Sequence, residues 1–532
     1  MQTDSKVSAA KTPRPRAEAH PANRTAGGLR QHAQVIVLAL MAALVVGVVR
    51  FFPAYDYPHW IYQAHVLANL ADYRQWFSLE LVPTPNLGST MFLWPLTLWL
   101  NAEMAGRVLT SLYAFFTVVS FAYLVRSKGA KTGLLLLGPV LVFNYFFYNG
   151  FLSYFLGLPL VLFTIGYFER TDKLTPARWI ALTLLAAVAF LCHLFVWFPI
   201  AIYAAVAGLL SGRVRTALAY WSTQFLPVGL LAIYTLTRTS SEPLRAVFYQ
   251  SIPDKVFGLI TPMLPLSRVD PFPPRLPFLP LNALFAVGLA VLFFITLRRF
   301  WRSQPNRAML VLPVTVALLL LVAILTPVDW FAGMRAFDKR ITFMGFALLL
   351  AAMGRYTPKK LVLPVGVVAA VILGLHWVVF AGANGYMTSI HQALQERPQG
   401  ASLHVYTFRN PPMYAACSPG VMNLGHGVFP LQWFPLFDVV ERDHLEVETF
   451  ETALLRERPD GTPAVTFGKA DDRQGYRDFA DELRASPPAY DYLVIFGCPK
   501  DLQMVADIWE TGPNQIAQQV NQGPYHVLLK MR

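Results

Sequence analysis

The stretch VIVLALMAALVVGVVRFFPAYDYPHWIYQAH (residues 35–65) joins a long apolar run to a segment in which one aspartate and two histidines stand among aromatic residues. With its flanks, the run before Arg50 approaches the roughly 20 residues that a membrane-spanning helix needs. The segment after Arg50 is therefore predicted to leave a membrane. Asp56, His59 and His65 would then lie at its surface, where ionisable groups are costly unless they are paired or functional.

The composition of the whole chain also predicts a membrane protein. Apolar types make up 55% of the 532 residues and charged types only 14%, whereas soluble domains carry about a quarter charged residues. The net charge of +13 would indicate nucleic acid binding only if the basic residues shared one surface. Here they lie in short loops between apolar runs, which is the positive-inside pattern of membrane proteins. Binding of nucleic acid is thereby excluded.

The apolar runs and basic loops predict an α-helical domain of about eleven spans over residues 33–382, in the plasma (inner) membrane. The predicted spans lie near 33–52, 106–125, 133–149, 152–168, two within 178–211, 218–236, 281–297, two flanking 326–340, and 361–382. Residues 1–32 are polar, basic and Pro-containing, so we expect a disordered cytoplasmic tail. Residues 53–105 are predicted to form a long external loop with two interfacial helices, 59–78 and 91–100.

The last part of the chain, residues 383–532, is predicted to be an extracytoplasmic α/β domain. Residues 382–532 contain 12 Lys and Arg against 18 Asp and Glu, the reverse of the balance in the rest of the chain. Strands are predicted at 402–408, 490–497 and 525–531, and helices at 471–486 and 500–510. Cys417 and Cys498 both lie in this domain, where either a disulfide or two free thiols would be compatible with the sequence.

Polar residues gather at the predicted outer ends of the spans. They are Asp56, His59, Asp72, Glu80, Arg107, Asn144, Asn149, His193, Arg335, Asp338, Lys339 and Arg340. No Walker sequence, GxSxG elbow or HExxH zinc motif occurs in the chain. His59 and His65 lack a third ligand at a convincing spacing, so no metal site is predicted. We predict no cofactor, and dependence on a divalent metal stays open.

This layout resembles the GT-C glycosyltransferases, which include the bacterial aminoarabinose transferases and the protein O-mannosyltransferases. The resemblance lies in the first helix, the acidic Asp56 just beyond it, the long external loop, and a soluble domain after the last span. Arg107 in AEMAGRVLTSL matches the arginine at the head of the second span. The sequence departs from the family at Asp56, which stands between two tyrosines where many relatives carry an acidic pair.

The resemblance implies an enzyme that moves a sugar from a polyprenyl-phosphate donor to an acceptor on the outer face of the membrane. Such a transfer needs a base near the acceptor, and Asp56 is the candidate. It also needs cations around the departing phosphate, for which we name Arg335, Lys339, Arg340 and Arg107. His59, Asn149 and His193 are candidates for lining the cavity. Beyond the donor and membrane lipid, the resemblance identifies no protein partner.

Structural interpretations of the same residues remain open. Asp56 is also placed to cap the helix that begins near Pro58, and the charges of residues 335–340 could pair with one another. His193 would serve as a hydrogen-bonded turn residue, and Arg107 could extend to lipid headgroups. A transporter or flippase, or a non-catalytic subunit of an envelope polysaccharide machine, is the alternative function. The charges gather at the outer ends rather than at mid-span, and no internal repeat occurs, which disfavours a transporter.

Overall fold

The computed structural model describes most of the predicted membrane domain and part of the C-terminal domain. The described residues are 21–51, 53–74, 77–79, 83–127, 134–171, 173–237, 253, 255, 259, 260, 263, 278–326, 337–398, 401–407, 455–457, 465–469, 491–496, 516–522 and 526–531. Arg335, Glu80, Cys417, Cys498 and the predicted helices at 471–486 and 500–510 lie outside these residues.

The described residues up to Gln395 are mainly helical. They are α1 (Pro21–Gly47), α2 (Tyr57–Ala68), α3 (Leu70–Tyr73), α4 (Gly88–Thr97), α5 (Ala102–Val125), α6 (Gly138–Val142), α7 (Tyr145–Tyr148), α8 (Leu152–Glu169), α9 (Pro176–Cys192), α10 (Leu194–Leu210), α11 (Val214–Ser222), α12 (Phe225–Thr237), α13 (Phe278–Arg302), α14 (Arg307–Leu325), α15 (Phe337–Gly354) and α16 (Val362–Gln395). Short 3-10 helices precede α6, at Leu134–Leu137, and α16, at Lys359–Leu361.

Each of the eleven predicted spans coincides with a helix or with consecutive short helices. Among the described residues, five helices are long and apolar enough to cross a membrane, and α11 with α12, bent by 47°, would make a sixth. Shorter apolar helices occupy the places predicted for the first span, for 133–149 and for both halves of 178–211, and α15 occupies the last remaining place. The chain is a multi-pass α-helical membrane protein, as predicted.

Side-chain caps define where several of these helices begin. Asn101 accepts a hydrogen bond from the Met104 N–H at the start of α5, and Thr175 caps α9 ahead of Pro176. Asn306 caps α14 in the same way. Short polar side chains are favoured at these positions because they satisfy N–H groups that have no partner inside the helix.

The bundle has two polar ends. At one end, Arg355 forms a 2.7 Å ion pair with Glu169, which also accepts a 2.6 Å hydrogen bond from the Tyr203 hydroxyl. At the other end, Glu103 accepts hydrogen bonds from Arg50 and pairs with Arg107. Because α8 runs from one end to the other, Glu169 at its C-terminus lies far from the segment around Phe151 that precedes it.

The predicted interfacial helices exist as α2 and α4, but α2 is not a surface helix. Its residues from Tyr57 through Ala64 are all buried, whereas an amphipathic helix at a membrane surface keeps one face polar and exposed. Gly106 of α5 lets α2 approach closely, since a Cβ there would lie 2.1 Å from Ile61 Cδ1 and 2.3 Å from the Tyr57 hydroxyl. The helix that follows Asp56 is thus enclosed by protein.

The C-terminal region contains the three predicted strands within a five-stranded mixed sheet. Its strands are β2 (Leu403–Thr407), β4 (Val465–Lys469), β5 (Tyr492–Phe496), β6 (Ile516–Gln522) and β7 (His526–Met531), in the order β4-β2-β5-β7-β6. The strand β2 is parallel to β4 and β5, and β7 is antiparallel to β5 and β6. His526 of β7 contacts Tyr386 of α16, so the sheet adjoins the C-terminal end of the last helix.

A second, two-stranded sheet connects the first loop to the C-terminal region. Strand β1 (Phe77–Leu79) pairs antiparallel with β3 (Leu455–Glu457), with Ser78 opposite Arg456. Two segments almost 380 residues apart in sequence therefore meet at the same end of the bundle. This pairing requires residues 77–79 and the C-terminal region to lie on the same side of the membrane.

We expect a disulfide to form between cysteines introduced at Ser78 and Arg456 in a variant that lacks the three native cysteines. Residues directly opposite in an antiparallel pair have Cα atoms about 4.5–5.5 Å apart, within the range that a disulfide bridges. Oxidation should shift the protein on a non-reducing gel, and reduction should reverse the shift. Each single cysteine variant is the control; a double variant that behaves like them under oxidation would contradict the pairing.

Candidate functional site

Asp56 stands at the first turn of α2 but does not act as its cap. The residue occupies the N-cap position with φ −85° and ψ −1°, and its side chain makes no capping hydrogen bond to the helix. A capping Asp has extended backbone and accepts a bond from one of the first helical N–H groups. Pro58 at the start of α2 removes one of those donors in any case. The capping interpretation of Asp56 is therefore not supported by its geometry.

The backbone around Asp56 is fixed by the segment that follows α7. The Asp56 N–H donates to the Asn149 carbonyl over 3.1 Å, and the Tyr55 N–H donates to the Tyr148 carbonyl over 3.0 Å. The indole N–H of Trp60 donates to the Gly150 carbonyl over 2.9 Å. Three hydrogen bonds thus hold the Asp56 turn against residues 148–150.

Gly150 is the point where the two segments are closest. Its φ is +71°, and a Cβ at this position would lie 2.5 Å from the Asp56 nitrogen and 2.6 Å from the Tyr57 nitrogen. Only glycine adopts this backbone conformation without cost and leaves room for the neighbouring main chain. The position of Asp56 therefore depends on a glycine that lies almost a hundred residues further along the chain.

We expect Gly150→Ala to displace the Asp56 turn and to destabilise the protein by about 1–3 kcal/mol, because it adds both backbone strain and a steric clash. Gly385→Ala is the matched control, since a Cβ at Gly385 meets no atom within 4 Å. Thermal unfolding of the purified variants measures the difference. Equal unfolding temperatures for the two variants would contradict the close packing at Gly150.

Arg340 lies next to this turn, on the first turn of α15. Its guanidinium carbon is 4.6 Å from the centre of the Phe151 ring and 5.5 Å from the rings of Tyr154 and Phe195. The Tyr154 hydroxyl donates to the Arg340 carbonyl over 2.6 Å. Phe151 directly follows Gly150, whose backbone packs against the nitrogens of Asp56 and Tyr57. An aromatic enclosure therefore holds a cation near the proposed base.

Lys339 and Asp338 complete this part of α15. Lys339 is 8% exposed, and its Nζ lies 5.8 Å from the centre of the Tyr145 ring. Asp338 is fully buried, and one of its oxygens accepts the Lys339 backbone N–H over 2.7 Å. The alternative that the charges of residues 335–340 pair with one another stays a prediction.

His193 caps α10 and contacts Arg340. The Phe195 N–H donates to His193 Nδ1 over 3.1 Å, and Arg340 Nη1 lies 2.5 Å from His193 Nε2. Burial, and secondarily the positive charge of Arg340, hold the pKa of His193 well below its usual value. Both effects favour the neutral imidazole. His193 is thus a hydrogen-bonded turn residue, as expected. Its contact with Arg340, a candidate ligand of the phosphate, was not indicated by the sequence.

Three further residues were predicted from the sequence: Asn149, His59 and Arg107. Asn149 is buried, and its side-chain amide donates to the Tyr145 carbonyl over 2.7 Å. Its backbone carbonyl accepts the hydrogen bond from the Asp56 N–H. His59 is 1% exposed on the enclosed helix α2. Arg107 forms its ion pair with Glu103, which also binds Arg50. Glu103, not Arg107, thus joins α5 to the residues just after α1. None of the described contacts of Arg107 is with Arg340 or Lys339.

Three aromatic residues in this cluster were not identified as individual site residues from sequence. They are Tyr145, Phe151 and Tyr154, all in the run FNYFFYNGFLSYFLG (residues 143–157). That run was compatible with either a cavity lining or an aromatic belt. The interruption of the apolar pattern by Asn144, Asn149 and Gly150 was the available signal, since it marks a break between helices rather than a continuous span.

Asp56, Lys339, Arg340 and His193 thus come from three separate parts of the chain and converge at one end of the bundle. The described residues contain no group of three His, Cys, Asp or Glu side chains that could hold a metal ion. Residues 145–151 bring together the Asp56 turn, Arg340 against the Phe151 ring and Lys339 near the Tyr145 ring.

The structure is similar to the crystal structure of ArnT from Cupriavidus metallidurans bound to undecaprenyl phosphate, with a TM-score of 0.50 and 10% sequence identity. The similarity covers 96% of this chain and 98% of ArnT. Comparison with protein-family profiles finds no match, and comparison with curated proteins finds none either. The likeness therefore concerns the fold over nearly the whole of both chains.

Proposed function

We propose that this protein is a membrane glycosyltransferase that moves a sugar from a polyprenyl-phosphate donor to an acceptor on the extracytoplasmic face. The observation that carries the proposal is that residues 145–151 hold the Asp56 turn through Asn149 and also carry the rings against which Arg340 and Lys339 lie. The ArnT-like fold supports the same reaction class, because the neighbour's structure contains undecaprenyl phosphate. The sugar and acceptor are left unspecified.

In the proposed reaction, an acceptor hydroxyl or amine attacks the anomeric carbon of the donor sugar. The bond from that carbon to the phosphate oxygen breaks, and polyprenyl phosphate leaves with the bonding electron pair. Asp56 accepts the acceptor's proton, which is the role of a general base. Arg340 and Lys339 stabilise the negative charge that develops on the departing phosphate.

The environment of Arg340 suits this role better than an exposed arginine would. A guanidinium over aromatic faces remains charged and has its plane oriented in advance. The low polarity of the surrounding rings strengthens its interaction with an anion, since Coulombic interactions grow as the effective dielectric constant falls. Arg335 remains a predicted ligand of the same phosphate, because it lies five residues before Arg340.

The proposal is tested by release of polyprenyl phosphate from a set of labelled polyprenyl-phosphate sugars, using the purified full-length chain and membrane extract as the source of acceptors. Release by wild type and its loss in an Asp56→Asn variant would support the proposal. Transport of the intact donor across proteoliposome membranes, without cleavage, would instead support the flippase alternative and overturn the enzyme.

A further inference from the structure

The contact between His193 and Arg340 contains an unfavourable pairing of hydrogen-bond donors. The Phe195 N–H donates to His193 Nδ1, so in the neutral ring the proton must lie on Nε2. That N–H then faces Arg340 Nη1, which is also a donor, over only 2.5 Å. The other tautomer would not remove the conflict, because its Nδ1–H would face the Phe195 N–H instead.

A second hydrogen-bond donor of Arg340, its Nε–H, also lacks an acceptor within the described part of the chain. Its Nε is buried and has no hydrogen-bond acceptor among the described residues. A buried guanidinium donor without an acceptor is costly, and the aromatic rings around Arg340 supply π-faces rather than lone pairs. Both observations indicate that the site lacks an acceptor that a ligand would provide.

We propose that His193 Nε2–H and the Arg340 guanidinium form a paired donor site for an oxygen of a phosphate monoester. An anionic oxygen beside the two groups, accepting from both, would replace the contact between donors with two hydrogen bonds, one of them charge-assisted. This inference rests on the proposed function and adds His193, the N-cap of α10, as a neutral hydrogen-bond donor to the phosphate. The N-terminus of α10, a helix of 17 residues, begins at the same histidine and favours negative charge there.

The two nitrogens of His193 can be separated by substitution. The amide oxygen of asparagine occupies the position of Nδ1, and asparagine is among the best N-cap residues, so His193→Asn keeps the cap and removes the donor that faces Arg340. The amide nitrogen of glutamine reaches the position of Nε2, so His193→Gln keeps a donor there and weakens the cap.

The experiment measures binding of a polyprenyl monophosphate, of the corresponding polyprenol and of inorganic phosphate to the purified full-length protein in nanodiscs, together with thermal unfolding. We expect His193→Asn to unfold like wild type and to bind polyprenyl phosphate about tenfold more weakly, the loss of one good hydrogen bond to a charged group. His193→Gln should recover most of the affinity and unfold at a lower temperature. Polyprenol binding should be unchanged in every variant, because the alcohol has no anionic oxygen.

Wild-type affinity for polyprenyl phosphate in a stable His193→Asn variant would overturn this inference and leave the proposed function intact. A wild type that binds neither polyprenyl phosphate nor inorganic phosphate would overturn both. Binding of inorganic phosphate with the same dependence on residue 193, but no preference for the lipid, would support the donor pair and contradict a lipid donor.

Discussion

Asp56→Asn is expected to abolish sugar transfer almost completely while leaving the protein folded. The substitution preserves the size of the side chain but removes the basic oxygen that would accept the acceptor's proton. Loss of a positioned general base typically lowers turnover by about 10²–10⁴-fold. Because the Asp56 side chain makes no capping bond to α2, the stability of that helix should change little. The measurement is the initial rate of polyprenyl phosphate release, with thermal unfolding as the check on folding.

Asp72→Asn is the matched control for this variant. Asp72 lies on α3 in the same predicted external loop and is exposed, so the same change in charge should leave the rate near that of wild type. If Asp56→Asn retained turnover within a few-fold of wild type, the base would have to be another group, and the proposed role of Asp56 would be wrong.

The second large effect is expected at Arg340. Arg340→Ala removes the cation that the aromatic rings of Phe151, Tyr154 and Phe195 enclose. Each charge-assisted hydrogen bond to the donor phosphate would be worth about 1.5–3 kcal/mol, and every 1.4 kcal/mol corresponds to about tenfold in binding or rate. We therefore expect kcat/KM for the donor to fall by at least about 100-fold. Arg340→Lys should recover only part of this loss, because an ammonium cannot bind bidentately or stack on the rings.

Arg74→Ala serves as the control for the loss of positive charge, since Arg74 directly follows α3 and is exposed. Comparable kcat/KM values for Arg340→Ala and Arg74→Ala, in two variants that unfold at similar temperatures, would remove Arg340 from the donor site. Lys339, together with Arg335, would then be the remaining candidates for holding the phosphate.

The membrane fold could be predicted largely from the sequence. Spans were identified because the bilayer sets the length of an apolar helix, and the breaks were marked by basic loops, by His193 and by the residues around Gly150. The strands at 402–408, 490–497 and 525–531 were visible as short apolar runs of β-forming residues. The enclosure of α2 was not predicted, because the aromatic residues of 57–64 are as typical of a helix at the membrane surface as of one inside the protein core.

The individual members of the candidate site were chosen from their residue types, but their grouping required the tertiary structure. Asp56, Arg340 and His193 were named because ionisable groups at the ends of apolar segments are costly. Arg107 was named because it matches the arginine at the head of the second span in the resembled family, yet it pairs with Glu103. A one-dimensional pattern places both arginines at the end of a helix and carries no information on which neighbours they meet.

The amino-acid sequence by itself determined that the chain crosses a membrane, about how often, and which charges stand at the ends of its helices. These properties follow from local composition, because each helix must satisfy its backbone hydrogen bonds and match the hydrocarbon thickness within its own segment. Only the tertiary structure decided that Gly150 fixes the Asp56 turn, that aromatic rings enclose Arg340 and that β1 pairs with β3. Those contacts join residues tens to hundreds of positions apart, and they depend on how the helices pack rather than on any single segment.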